Sequence, residues 1–290
     1  MTAVVRFEKQ RARLLGLAYR MLGSRADAED VLQDAWLKWS QAERSDIKSD
    51  EAYLTTIATR LCLDKLKHER AWRQVYVGPW LPEPITDAAA LSSHTTSEFA
   101  DDLSYALLLA LERLSALERA AFLLHDVFGT PFSEVASTLE RSEAAVRQLA
   151  ARARRAVRER RPAHAATPET HTRLLGAFMA ALNEGDAGQL KALLRDDAVF
   201  VSDGGGRKPA ASRPVRGADR IVRLLTGLRR KFAPRQGSAS AARTLINGST
   251  GFLFYIDGVL DHMLAISVDD ERIAAVYVVR NPEKLARLKH

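Results

Sequence analysis

Two proline-bearing breaks constrain this chain more than any other feature, because they divide its 290 residues into three stretches. The first break, Val77 to Ala100, carries Gly78, Pro79, Pro82 and Pro84, then a Ser/Thr-rich run. The second, Arg161 to Thr170, carries Pro162 and Pro168 among small residues. Proline lacks a backbone donor and drives its predecessor out of the helical region, so both breaks read as linkers. Ahead of the first break, apolar residues recur at helical spacing in three runs. These are Leu14, Leu15, Ala18, Met21 and Leu22; Ala28, Val31, Leu32, Ala35, Trp36 and Trp39; and Tyr53, Leu54, Ile57, Ala58, Leu61 and Leu66. Between the breaks, Leu107, Leu111, Leu114, Leu117, Ala121, Leu124 and Val127 continue the period, and Gly129 interrupts it. Thr130-Pro131 predicts an N-cap and first helical position for a short helix through Val135, Ala136 and Leu139. Ser142 predicts the cap of a longer helix carrying Ala145, Val146, Leu149 and Ala153.

Past the second break the pattern changes. Helical spacing at Leu174 to Leu182, Leu190 to Leu194 and Ala218 to Phe232 gives way to strand-like runs. The strands are Ala198 to Val201, Thr244 to Ile246, Gly251 to Ile256, Leu260 to Val268 and Ile273 to Val279. Asn247-Gly248, Asp257-Gly258 and Asp269-Asp270 stand between them as turn pairs. The fold expectation is multidomain: two all-α modules, then an α+β domain with a curved antiparallel sheet.

Composition narrows the function classes. Lys and Arg number 43 against 36 Asp and Glu, so the net charge is +7 and a polyanionic partner is compatible. With 47% hydrophobic and 27% charged residues, wholesale disorder is excluded. Cys62 is the single cysteine, which excludes an internal disulfide and a cysteine-built zinc site. No run of ~18 uncharged apolar residues offers a membrane span, and Met1 to Gln10 mixes Arg6, Glu8 and Lys9 among its apolar residues, unlike a secretory leader. The expectation is a cytoplasmic protein without cofactor or metal.

Three elements carry candidate chemistry. The short helix, the tight turn at Glu140-Arg141 and the longer helix match a helix-turn-helix, whose second helix enters the major groove. Glu143, Ala144, Arg147 and Gln148 would meet the bases, while Arg141, Ser142, Arg152, Arg154 and Arg155 complete the DNA-binding set with cations for the phosphates. From Arg141 to Arg161 eight arginines face Glu143 and Glu159, a net +6. A solvated basic face is the plain alternative. On the helix of Arg25 to Trp39, Asp30, Gln33 and Asp34 form a polar stripe; by itself this is an amphipathic helix with solvated acids. Tyr53 to Arg73 interleaves Thr59, Arg60, Lys65, Lys67, Arg70 and Arg73 with Trp72, which suits a single strand or an opened duplex.

Leu14 to Gly23, Asp27 to Asp34 and Tyr53 to Leu66 together resemble region 2 of the extracytoplasmic-function (ECF) sigma factors of the sigma-70 family, and Leu117 to Arg155 resembles region 4. Arg60 stands where many relatives carry asparagine. Tyr76 to Pro84, with Trp80, Leu81 and Pro82, is similar to the linker of the ECF group that bears a C-terminal SnoaL-like (NTF2-like) extension. Asp203-Gly204-Gly205-Gly206 and Asn281-Pro282 resemble that group's two C-terminal motifs, with Arg207 where lysine is usual and Lys208 next. The resemblance implies region 2 at 1–76, a linker at 77–100, region 4 at 101–161, a second linker at 162–170 and a regulatory SnoaL-like cone at 171–290. It further implies a subunit of bacterial RNA polymerase, not an enzyme. Asp30, Gln33 and Asp34 would face the polymerase core, Thr59 to Arg73 the minus-ten element of promoter DNA, and Ser142 to Arg155 the minus-thirty-five element.

The cone leaves a second reading open: a SnoaL-type small-molecule enzyme, or a ligand sensor with a small ligand in its pocket, tethered to DNA. Its acid/base candidates are Asp197, Asp203, Asp261 and His262. Adjacent strand residues point to opposite faces, so Asp261 and His262 reach one pocket only across a bulge. Trp80 is too apolar to leave in water and is expected to dock between the sigma modules and the cone.

Overall fold

The computed structural model of the chain describes every residue except 1, 44–46, 48, 92–98, 100–101, 160–165, 233–237 and 289–290, and the side chains of 69–74, 89–90 and 232 also lie outside the described set. The chain divides into two compact units. One comprises Met1–Val75, Asp87–Leu103 and Leu107–Arg161; the other comprises Tyr76–Thr86, Ser104–Ala106 and Pro162–His290.

The first unit is helical. Thr2 caps α1 (Ala3–Leu22), and Gly23 closes it in the left-handed region at φ 70°. Ser24 caps α2 (Arg25–Gln41) through the amide of Asp27, and α3 runs Asp50–Gln74. The apolar stripes read from the sequence meet in one core of Leu14, Leu15, Met21, Val31, Leu32, Trp39, Leu54 and Ala58, all at most 2% exposed. A Cβ on Gly16 would lie 2.4 Å from the Leu91 carbonyl, which fixes glycine at this close approach. The buried Arg20 guanidinium donates to that carbonyl and to Gly16 O, both at 3.2 Å, so its charge is not left bare.

Further along, α4 spans Tyr105–Glu112. Ser115 and Glu118 form a reciprocal cap for α5 (Ala116–Phe122), which widens into a π turn at Leu123–Val127. Pro131, not Thr130, occupies the N-cap position of α6 (Phe132–Leu139), with no side-chain cap bond. The proline's ψ of 145° is extended, so the helix starts one residue later than the Thr-Pro pair predicts. Glu140 adopts φ 54° in the turn, and Ser142 caps α7 (Glu143–Arg158). The helix-turn-helix is therefore present at the expected residues.

In the second unit, α8 (Pro168–Glu184) begins inside the stretch read as a linker, because Thr167 caps it and Pro168 sits in its first turn, where no donor is needed. There follow α9 (Ala187–Leu193), β1 (Leu194–Asp203), β2 (Val215–Arg216) and α10 (Ala218–Phe232). The remainder is β3 (Ala239–Ile246), β4 (Ser249–Ile256), β5 (Val259–Asp269), β6 (Arg272–Val279) and α11 (Pro282–Leu285). The sheet order is β2-β1-β6-β5-β4-β3. All pairs are antiparallel except β1–β6, which is parallel, so the sheet is mixed where a wholly antiparallel one was expected. The hairpin turns hold Asn247, Asp257 and Asp270 at φ of 50–56°, as their turn pairs predict. One sheet face is filled by Leu264, Ile266, Val276 and Val278 against Leu175 and Phe178 of α8 and Ile221 of α10.

Candidate functional site

The outer surface of α7 is a consequence of its inner one. Val146, Ala150, Ala153 and Val157 are fully buried, which turns Arg141, Ser142, Glu143, Ala144, Arg147, Gln148, Arg152 and Arg155 outward. Arg147 pairs with Glu143 one turn back and lies 4.4 Å over the Phe132 ring, so its guanidinium is held at the N-terminal end of the helix. Ser142 spends its hydroxyl on the amide of Ala145. Arg152 reaches Glu118 at 2.9 Å while staying 60% exposed. Arg154 differs: it is half-buried and ion-paired to Asp126 at 2.6 Å, which makes it a strut between α7 and the π turn.

On α3 the candidates separate. Thr59 is wholly buried, and its hydroxyl bonds to the Thr55 carbonyl; as a core residue it presents nothing to nucleic acid in this structure. Helical period puts it on the same face as Thr55, Ala58 and Cys62. Arg60 is exposed but engaged, bonding Thr138 O at 3.4 Å and Glu140 at 3.0 Å. Thr56 and Thr138 share a hydroxyl bond of 3.0 Å one turn away. The turn of the helix-turn-helix therefore lies directly on α3. Beside this junction an open cleft of about 690 Å³ is lined by polar Arg13, Glu51, Thr56 and Thr138 together with apolar Phe128 and Pro131, so the junction is incompletely filled. Lys65 binds Asp27 at 2.5 Å and Asp30 at 3.1 Å. Partial burial opposes its charge, but the two carboxylates outweigh that and raise its pKa. Lys67 is exposed beside Asp64 at 2.9 Å. The side chains of Arg70 and Arg73 lie outside the described residues. Asp30, Gln33 and Asp34 are all exposed on α2, and Leu37, half exposed one turn on, extends the same face with an apolar group that the polar-stripe reading overlooked.

In the second unit the linker is clasped. Asp203, with no exposed surface, accepts four donors. Oδ1 takes Tyr76 Oη at 2.7 Å and the Gly205 amide at 3.0 Å; Oδ2 takes the Leu81 amide at 2.9 Å and Lys284 Nζ at 2.7 Å. Lys284 also donates to Leu81 O and lies 4.1 Å over the half-buried Trp80 ring. Asn281 Nδ2 reaches Tyr76 Oη at 3.0 Å. Burial first, then the Asp203 carboxylate, raise the pKa of Tyr76, which stays a neutral donor. Glycine is required here twice over: a Cβ on Gly204 would strike Lys208 O at 2.1 Å, and one on Gly205, at φ +59°, would strike Asn281 Nδ2 at 2.3 Å. Pro282 starts α11 with Asn281 as its cap. At the far end, Ile85 and Asn247 exchange two hydrogen bonds of 3.2 and 2.8 Å. Leu81 to Ile85, Pro82 included, are consequently buried. Tyr76, Asn247 and Lys284 belong to this clasp; the sequence reading placed them in the linker, a turn pair and the C-terminal motif but gave none of them this role. Their partners lie far along the chain, although an Asn-Pro-x-Lys segment offers a helix cap followed by a cation, a signal that points toward such a role.

The acid/base candidates do not converge. Asp197 is exposed and paired with Arg195 at 2.9 Å, and Asp203 is sealed in the clasp. Asp261 and His262 do meet, at 2.8 Å. The register shift between Phe254↔His262 and Tyr255↔Leu260 leaves Asp261 as an extra residue, the bulge that strict alternation excluded. Asp261 is then closed off by Lys208 at 2.8 Å and Arg280 at 3.1 Å. Hydrogen bonding from His262 leads the causes that hold its carboxyl far below the usual range, against its burial. Among the described residues no His/Cys/Asp/Glu group has metal-site geometry, and no helix is long and apolar enough to cross a membrane.

Residues 7–72 match the family described as Sigma-70 region 2, and residues 104–157 match Sigma-70 region 4. The chain is 40% identical to the ECF RNA polymerase sigma factor SigJ of Mycobacterium tuberculosis, over 97% of this chain and 92% of that protein. It is 31% identical to the probable ECF RNA polymerase sigma factor SigI of the same species, over 96% and 93%. The crystal structure of Mycobacterium tuberculosis SigJ superposes with a TM-score of 0.78 at 38% identity, covering 98% of each chain.

Proposed function

The chain belongs to the ECF RNA polymerase sigma factors, and from that premise we propose how it recognises promoters and how it is restrained. Sigma factors are polymerase subunits rather than enzymes; this one works with core polymerase and promoter DNA. We place region 2 at 1–76, region 4 at 101–161 and the regulatory domain at 171–290, and we place the protein in the cytoplasm with the polymerase. Asp30, Gln33 and Asp34, joined by Leu37, take the core. Arg60, Lys65, Lys67, Arg70 and Arg73 take the minus-ten strand. Arg141 to Gln148, with Arg152 and Arg155, take the minus-thirty-five duplex, and Arg154 props their helix.

One observation carries the mechanism. Arg60, on the minus-ten surface, is 3.0 Å from Glu140, in the turn that presents the minus-thirty-five helix. The two promoter elements are about 25 steps apart, or ~85 Å at 3.4 Å per step. A molecule holding this ion pair cannot occupy both, which supports reading this arrangement as a resting state that opens on the promoter. The ion pair and the Thr56–Thr138 hydroxyl bond at this junction would be broken on opening.

The C-terminal domain governs how far opening proceeds. By seating Tyr76 to Thr86 it fixes the end-to-end distance of eleven linker residues that would otherwise extend by up to ~3.4 Å each. Held, the linker keeps regions 2 and 4 short of promoter spacing; released, it lets both DNA-binding surfaces add through tethering. The domain thus takes the place of a separate anti-sigma protein.

The test is transcription in vitro with core polymerase from a promoter selected by the holoenzyme. Asp203→Asn, which loosens the clasp, should change promoter-dependent initiation at equal core occupancy. Failure to initiate at any promoter while turning over a small molecule would favour the tethered-enzyme reading.

A further inference from the structure

Between Arg207 and Lys231 nine Arg or Lys residues (207, 208, 213, 216, 220, 223, 229, 230 and 231) stand against one acid, Asp219, a net +8 in 25 residues. That density exceeds the +6 carried by residues 141–161. Some of it is structural: Arg207 pairs with Glu283, Lys208 with Asp261, and Arg229 donates to Asn183 O at 2.8 and 3.1 Å. The rest faces solvent. Arg213, Arg216, Arg220, Arg223 and Arg230 are exposed, and none forms an ion pair among the described residues.

On α10 the buried Ile221, Val222 and Leu225 anchor one side to the domain core. The other side repeats Arg220, Arg223, Gly227 and Arg230 at three/four spacing, a single outward stripe ~15 Å long. The helix dipole accounts for cations in the last turn, but Arg220 and Arg223 lie in the first two turns, where it disfavours them. Gly227 sits mid-stripe, and a Cβ there would meet nothing within 4 Å. Among the described residues nothing requires glycine at a position where it costs ~1 kcal/mol relative to alanine. A bare backbone amid arginines allows close approach by a bulky anion.

We propose that the outer face of α10, with Arg220, Arg223 and Arg230, docks on the phosphate backbone of duplex DNA. Duplex DNA presents one charge per ~1.7 Å of axis, a linear array that matches a linear stripe of cations without base readout. The regulatory domain is then a third DNA-binding surface of the full chain, independent of the linker clasp.

The experiment measures binding of the full-length chain to a labelled duplex of arbitrary sequence across a salt series. For Arg220→Gln/Arg223→Gln/Arg230→Gln, the slope of log affinity against log salt should fall by ~2–3, at ~0.9 for each phosphate no longer neutralised. Gly227→Glu, which keeps all the arginines, should shift affinity in the same direction. A charge-matched control, Arg173→Gln/Arg243→Gln/Arg272→Gln, should retain the wild-type slope. Equal slopes for the stripe variant and wild type overturn the proposal, as do equal reductions in stripe and control. Loss of core-polymerase affinity with an unchanged DNA slope also overturns it and assigns the face to an acidic protein surface.

Discussion

Asp203→Asn perturbs the clasp with almost no change of shape. Each carboxylate oxygen accepts two donors, at 2.7 and 3.0 Å on one side and 2.9 and 2.7 Å on the other. An amide group turned toward Oδ1 faces the Gly205 N–H; turned toward Oδ2 it faces the Leu81 N–H and the Lys284 ammonium. Either way Lys284 loses its counter-charge in a site where its side chain is 12% exposed. Removing one partner of a buried pair costs ~3–5 kcal/mol. The cation–π interactions of Lys284 with Trp80 and Tyr76 remain, which points to the lower end. About 3 kcal/mol is roughly a hundredfold shift in the equilibrium between seated and released linker. Native-state hydrogen exchange reads this directly. The amides of Leu81 and Ile85 should lose about two decades of protection, while amides in α1 and α7 keep theirs. Unchanged exchange across Tyr76 to Thr86 would refute the view that Asp203 holds the linker.

Arg147→Ala should weaken promoter binding by ~1–3 kcal/mol and relax preference at one base position, measured by competition among single-base promoter variants. Arg60→Ala and Glu140→Ala should each cost no more than ~1 kcal/mol of stability, because the pair is solvent-exposed, yet each should raise the extended population seen by small-angle scattering. Compact profiles in both would count against a resting state held at this junction. Asp261 has a folded-state pKa below its unfolded value of 3.8. Its contribution to stability is therefore present above about pH 4 and lost as pH falls further, so Asp261→Asn should flatten the acid limb of a thermal-unfolding profile. Tyr76 shifts the other way: its pKa is raised, so clasp stability is full below about pH 10 and declines above it, and Tyr76→Phe should remove that alkaline decline.

The sequence disclosed what is local. Leu14 to Leu22 has a helical period that Gly23 ends, and the residues around Ser142 carry their own cap, so α1 and the helix-turn-helix were readable. The turns at Asn247-Gly248 and Asp257-Gly258 were equally plain, since φ above zero selects those residues. What escaped depends on partners distant in the chain. The two-residue β2 exists only because Val199 and Phe200 pair with it. The bulge at Asp261 follows from β4–β5 register, and the parallel β1–β6 pairing brings together segments some 70 residues apart. Thr59 was read for its polarity, but its burial is set by helix phase. Lys65 and Asp30, assigned to different partners, bind one another in this state because α2 and α3 are neighbours.

The linker clasp also has a consequence in time. Tyr76 to Thr86 leave the ribosome early, whereas Asp203, Asn247 and Lys284, which seat them, are added later. From the end of α7 to Lys284 is about 126 residues, or ~6–25 s of synthesis at 5–20 residues per second. For that interval a nascent polypeptide carries both finished helical modules without the clasp that seats its linker. On the proposed restraint a newborn copy passes through an unguarded infancy, and translation speed across the last two-fifths of the message becomes a variable in how much stray initiation the cell experiences.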